Sequence, residues 1–150
     1  MHTPSPLSAH LGYWLRYVSN HVSQAFARRL AAHDVSVAEW VLLRELFDHP
    51  SRAPSELADT MGMTRGAITK LVDRLLARGF VTREADPADG RAQRLALTPA
   101  GRALVPQLAA LADANDEAFF GHLDPAVRAQ LAQVLEGIVA AHPLTRPPLD

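Results

Sequence analysis

The sequence predicts a mainly α-helical chain with one small β-hairpin set into its middle. Three observations carry that expectation. Apolar residues recur at helical spacing, beginning with Leu7, Leu11, Trp14/Leu15, Val18, Val22, Ala25/Phe26 and Leu30. Two stretches, "FVTRE" and "RLALT", alternate like strands, and "ADPADGRAQ" between them holds the turn formers Pro87, Asp89 and Gly90. Just ahead of that pair, two short helical segments meet at a glycine-containing turn.

The elements follow in order. Residues 7–33 read as one long helix of about seven turns, which needs a partner along its length. "VAEWVLLRELFD", 37–48, is a second helix, stopped by His49-Pro50. In "PSELADTMG", Pro54 suits a first helical position and Gly62 a C-terminal cap, which bounds a helix of about two turns. Thr64 is a natural N-cap for "RGAITKLVDRLLARG", in which Ile68, Leu71, Val72, Leu75 and Leu76 form a single apolar stripe. After the hairpin, Thr98-Pro99 caps and starts a helix to about Phe120, with Pro106 placed to kink it. Asp124-Pro125 repeats the capping device for a last helix ending near His142, and the tail "PLTRPPLD" reads as irregular.

Helix, helix and hairpin in succession define a winged helix-turn-helix core, residues 36–98, within a single domain over 1–150. The flanking helices, 7–33 and 99–142, carry stripes too extended for that module to cover. They are expected to bury against one another and against a second copy of the chain.

Composition sets the outer bounds. With 48% hydrophobic and 21% charged residues in 150, the chain is globular rather than disordered. No apolar run approaches the ~18–20 residues of a membrane span. The opening "MHTPSPLSAH" lacks a basic region and an apolar core, so no signal peptide is visible and a cytoplasmic protein is expected. Cysteine is absent, which removes disulfides, thiolate metal sites and cysteine redox switching. The net charge of −1 hides a split: residues 52–102 hold nine basic against six acidic side chains, and the remainder six against ten. A basic segment on an acidic support suits a polyanionic partner, although a surplus of three is a weak signal.

Opposite the stripe of the 65–79 helix lie Gly66, Lys70, Asp73 and Arg74, flanked by Ala67 and Thr69. Small residues at its start permit close approach to a groove, and Lys70 and Arg74, one turn apart, can reach phosphates or base edges. At the hairpin tip Arg91 can enter a minor groove, whose negative potential favours guanidinium, and Arg94 can reach the flanking backbone. Asp89 would repel phosphate, so its expected work is local: a carboxylate–backbone bond, or an ion pair that orients an arginine.

The stretch "ELADTMGMTRGAITKLVDRLLARGFVTREADPADGRAQRLALTPAG" resembles the MarR family of bacterial transcription regulators. "DGRAQRLALT" matches the family's wing pattern, and "AITKLVDRLLARGFV" its recognition helix and first wing strand. In element order the likeness runs from about Leu7 to His142. The resemblance implies a homodimer tied by first and last helices, binding a pseudopalindromic operator, with an effector pocket in many members. The candidate DNA-contacting set is Ser55, Thr64, Arg65, Gly66, Ala67, Thr69, Lys70, Arg74, Asp89, Arg91 and Arg94.

His10, Tyr13, Tyr17 and His21 share one face of the first helix beside Trp14, and Trp40 and Arg44 sit one turn apart on the second. In the family that neighbourhood often receives small aromatic acids, so His10, Tyr13, Trp14, Tyr17, Trp40 and Arg44 form a candidate pocket for a phenolic or carboxylate effector. Packing at the dimer interface is the competing explanation. No cofactor and no metal is expected, because no His pair on one helix completes a zinc set. No G-x-S-x-G, P-loop or paired catalytic carboxylates appear, so the chain is not expected to be an enzyme. The family resemblance implies a DNA-binding repressor; the alternative is a winged-helix adaptor that docks proteins and never touches DNA.

Overall fold

In the computed structural model, residues 1–142 are described, and the proline-rich stretch 143–150 lies outside them. The helices are α1 (Leu11–Ala31), α2 (Val37–Asp48), α3 (Pro54–Met61), α4 (Arg65–Ala77), α5 (Pro99–Phe120) and α6 (Pro125–Ala141), with strands β1 (Val81–Ala85) and β2 (Gln93–Leu97) between α4 and α5.

The first helix departs from expectation at its start. Leu7–Ala9 form a separate 3-10 turn, and His10, at φ −100° and ψ 126°, is extended backbone between that turn and α1. Local hydrogen bonds hold the break: the Trp14 indole donates to Ser8 O at 2.9 Å, and the His10 ring donates from Nδ1 to Pro6 O at 3.1 Å. Leu7 and Leu11 obey helical spacing, but spacing alone is blind to side chains that capture the carbonyls of a helix start.

The other boundaries follow their caps. Ser36 and Glu39 form a reciprocal capping box at the head of α2. Pro54 opens α3, and Gly62 closes it at φ 65°, in the left-handed region that glycine enters without cost. Thr64 Oγ1 accepts from Ala67 N at the head of α4. At α5, Thr98 Oγ1 accepts from Gly101 N at 3.1 Å and donates to Gly79 O at 2.6 Å. Gly101 must lack a side chain, because a Cβ there would collide with the carbonyl oxygen of Phe80. The Thr98-to-Gly101 segment thus clamps the start of α5 onto the exit of α4. The helix runs through Pro106 as one element. Asp124 precedes α6 without making a side-chain cap bond.

β1 and β2 pair antiparallel, Val81 opposite Leu97 and Ala85 opposite Gln93, one residue later at the start of β1 and one earlier at the start of β2 than alternation suggested. Arg52 forms a bridge with Leu95 on the other side of β2, exchanging N–H···O bonds of 3.0 and 2.7 Å. The loop between α2 and α3 is thereby stitched to the hairpin. Leu42, Leu43 and Leu46 of α2, Leu57 and Met61 of α3, the α4 stripe Ile68/Leu71/Val72/Leu75, Leu95, and Val105 and Leu108 of α5 form one buried core.

Beyond that core the molecule is open. Asn115 of α5, 3% exposed, donates to Val22 O and accepts from Arg29 Nε, which pins α5 to α1. On α6 the side chains Val127, Leu131, Val134, Leu135, Ile138 and Val139 remain 37–56% exposed. Arg128 reaches back to Glu117 at 3.2 Å.

Candidate nucleic-acid interface

The buried stripe of α4 turns Arg65, Gly66, Thr69, Lys70, Asp73 and Arg74 outward. A Cβ added at Gly66 would meet nothing within 4 Å beyond the helix's own backbone, so the first turn of the helix is open to close approach. Ser55, Arg65 and Thr69 line a small cleft of about 200 Å³ between the first turns of α3 and α4. Thr69 Oγ1 donates to Arg65 O, and the Thr64 hydroxyl is engaged in its cap.

Cations near this face divide into two kinds. Arg83 pairs with Asp73 at 3.0 Å, which joins β1 to α4 and neutralises the acid on the exposed face. Arg78 donates to Asp34 O and to Glu39 Oε2, behind the helix. Arg74 lies 3.9 Å from Glu39 Oε1 while its side chain stays 63% exposed, a loose contact that leaves it able to reach outward. Arg65, Lys70 and Arg91 are exposed and have no side-chain partner among the described residues.

At the wing tip, Asp89 Oδ1 accepts from Arg91 N at 3.0 Å, and Asp89 O accepts from Ala92 N at 3.0 Å. Of the two local tasks open to Asp89, the structure displays the carboxylate–backbone bond. Asp86 does the same one turn earlier, its Oδ1 accepting from Ala88 N at 2.8 Å. Two such turns give the tip a defined shape without help from apolar packing.

Arg94 requires a correction. It does not project toward a flanking backbone: its Nε and Nη2 donate to Ser51 Oγ and O, both at 2.8 Å, and its side chain is 26% exposed. The partner stands 43 positions away in the sequence, so local pattern could not reveal it. Sequence reasoning also passed over Glu39, which is 6% exposed and gathers Ser36, Arg74 and Arg78. The signal was present, since Ser36 and Glu39 have the S-x-x-E spacing of a capping box.

The six candidate effector residues do not share one cavity. An open groove of about 860 Å³ runs between α1, the end of α5 and α6, and Trp14 and Tyr17 line it with His21, Phe119, Phe120, His122, Leu131 and Leu135. Tyr13 is not among its lining residues and packs edge-on against Trp14, at a centroid distance of 5.1 Å. His10 is bound to Pro6 O. Trp40 packs on Phe26 instead, and Arg44 pairs with Asp48 at 2.6 Å. The cause is helix geometry: Phe26 lies nine residues beyond Tyr17, roughly 13.5 Å along α1. Among the described residues, no Lys, Arg, Asp or Glu lines the groove. Among the described residues, no three His, Cys, Asp or Glu side chains gather as a metal site, and no helix is long and apolar enough to cross a membrane.

Residues 33–92 match the model of the MarR family. The HTH-type transcriptional repressor NicR of Pseudomonas putida is 26% identical over 137 residues, 91% of this chain and 87% of that protein. Among solved structures, CouR from Rhodococcus jostii bound to p-coumaroyl-CoA superimposes with a TM-score of 0.78 at 29% identity, covering 95% of this chain and 99% of that one. A mutant MarR from E. coli complexed with operator DNA gives 0.75 at 25% identity, covering 86% and 93%.

Proposed function

We propose that the chain is a MarR-family winged-helix transcription regulator rather than an enzyme, and that it works as a homodimeric repressor on a pseudopalindromic operator. In each protomer α4 enters the major groove and the wing tip reaches the adjacent minor groove. The observation that carries this is the placement of exposed, unpartnered Arg65, Lys70 and Arg91 on the α4 face and the wing tip, while Arg52, Arg78, Arg83 and Arg94 are tied into the protein. Polyanion binding needs cations that give up little on engaging phosphate. Ser55, Thr64, Gly66, Ala67, Thr69 and Arg74 complete the contact surface, and Asp89 shapes the tip. An adaptor for proteins calls for an apolar or acidic face on α4, and the exposed side chains there do not supply one.

Residues 36–98 supply the DNA-binding unit, and 7–33 and 99–142 the dimerisation helices. The apolar stripe of α6, left open within one chain, supports the pairing. The MarR–operator complex supports the docking on DNA. The ligand in CouR supports an effector, and the groove between α1, α5 and α6 is its candidate seat in this chain. With Trp14, Tyr17, Phe119 and Phe120 on its walls and no Lys or Arg among the described residues that line it, the groove suits an aromatic body better than a free anion. Such a ligand releases DNA by favouring a spacing of the recognition helices that no longer matches the operator. The regulator works where its DNA is, in the cytoplasm.

Selection of genomic fragments followed by footprinting tests the proposal. Two protected half-sites with centres roughly 34–36 Å apart are expected for a two-fold dimer. Protection confined to one half-site contradicts it.

A further inference from the structure

No nitrogen of the Arg94 guanidinium is idle. Beyond the two 2.8 Å bonds to Ser51, its Nη1 lies 3.8 Å from Glu56 Oε1 and 3.9 Å from Asp86 Oδ2. These partners belong to three separate parts of the molecule: the loop between α2 and α3, the first turn of α3, and the chain just beyond β1. A planar, five-donor group can satisfy such a set in only one orientation, which a flexible ammonium cannot reproduce. Glu56 is shared with Arg52, whose Nε donates to it at 3.0 Å and whose backbone bridges Leu95. Asp86 in turn donates from its N–H to Ala92 O at 3.0 Å, so the loop leading to the tip hangs from the same junction.

An isolated two-stranded hairpin is marginal in water, so the direction in which this one points must be set at its root. Arg91, exposed and unpartnered, sits three residues from Arg94 at the end of that lever. We propose, building on the wing as a DNA probe, that Arg94 is a positioning residue for operator recognition. It locks the wing root to the α2–α3 loop and to α3, and thereby aims Arg91 relative to α4. Arg94 therefore contributes to affinity through Arg91. Removing the clasp costs no more than removing the side chain it aims.

The test is operator titration by fluorescence anisotropy at several salt concentrations, with thermal melts, for Arg91→Ala, Arg94→Ala, Arg94→Lys and the Arg91→Ala/Arg94→Ala double variant. Arg91→Ala is expected to weaken binding on the order of tenfold. Arg94→Ala weakens it by an equal or smaller factor, Arg94→Lys fails to restore it, and the double variant binds like Arg91→Ala alone with the same salt slope. Single effects that multiply in the double variant, an added slope loss of about 0.9 per contact and rescue by lysine would show a direct phosphate contact and overturn the proposal. A lowered melting temperature with normal affinity below it would make Arg94 a fold staple only, and overturn it too. Should Arg91→Ala bind like wild type, the wing reading fails first and the proposal falls with it. If Arg94→Ala does not fold, Ser51→Ala replaces it: a loss of two- to fivefold is expected, absent in the Arg91→Ala background, and a loss that persists there overturns the proposal.

Discussion

Ile138→Asp separates a terminal helix that stands alone from one that is completed by a second chain. Ile138 is 44% exposed, and the other five side chains of its stripe are 37–56% exposed. Fully burying such a side chain stabilises by about 1.5–3 kcal/mol, so covering the open part of each contributes about 0.6–1.7 kcal/mol. Six side chains on each of two copies then sum to about 7–20 kcal/mol, against an association cost of about 4–15 kcal/mol. A two-fold axis places the substitution in the interface twice. Losing the apolar contact and stranding a carboxylate costs at least about 2 kcal/mol per copy, or about 4 per dimer. That raises the dimer dissociation constant roughly a thousandfold. Sedimentation velocity at micromolar concentrations, with circular dichroism melts, reads the effect. Wild type is expected to sediment as a dimer, and Ile138→Asp to dissociate and melt at a lower, concentration-dependent temperature. A folded wild-type monomer, or a variant that dimerises as before, refutes the reasoning.

Other expectations concern the scaffold and the tip. Gly101→Ala should destabilise by about 1–2 kcal/mol although alanine is the better helix former, because the collision with Phe80 O outweighs the propensity gain; a raised melting temperature contradicts this. Glu39→Ala should cost about 1–3 kcal/mol in urea melts, since Ser36 N and Arg78 lose an acceptor that is largely shielded from water. An unchanged midpoint would mean that the capping box is dispensable. Asp89→Ala should leave the folding stability within about 0.5 kcal/mol of wild type, as a surface change does, and weaken operator binding less than Arg91→Ala. A loss larger than that of Arg91→Ala would assign Asp89 more than loop shape.

Legibility in the sequence followed the range of the forces involved. Thr64, Thr98, Pro54 and Gly62 announce their helix ends because capping acts over three or four residues. The α4 stripe was readable for the same reason: one helix face meets one core. The start of α1 was not, because the Trp14 indole, six residues along, takes Ser8 O. Arg94 carries the same charge as Arg91, and only the fold, by bringing Ser51 beside β2, tells the engaged arginine from the exposed one. The aromatic set on α1 and the Trp40/Arg44 pair on α2 looked like one pocket because sequence adjacency of helices does not say where along their lengths they cross. Phe119, Phe120 and His122 reach the groove through the turn of α5 into α6, and nothing local marks them.

The central claim is that exposed cations on α4 and the wing tip bind the operator. Operator affinity of wild type, Lys70→Ala and Arg91→Ala across a series of salt concentrations tests it most directly. Wild type should show a linear loss of log affinity with log salt, flattening by about 0.9 for each phosphate contact removed and twice that in a dimer. Arg91→Ala should bind more weakly with a shallower slope and an unchanged melting temperature, while Lys70→Ala loses either base preference or affinity for all sequences alike. Identical curves for all three proteins would contradict the claim and favour the protein-docking role for this winged helix.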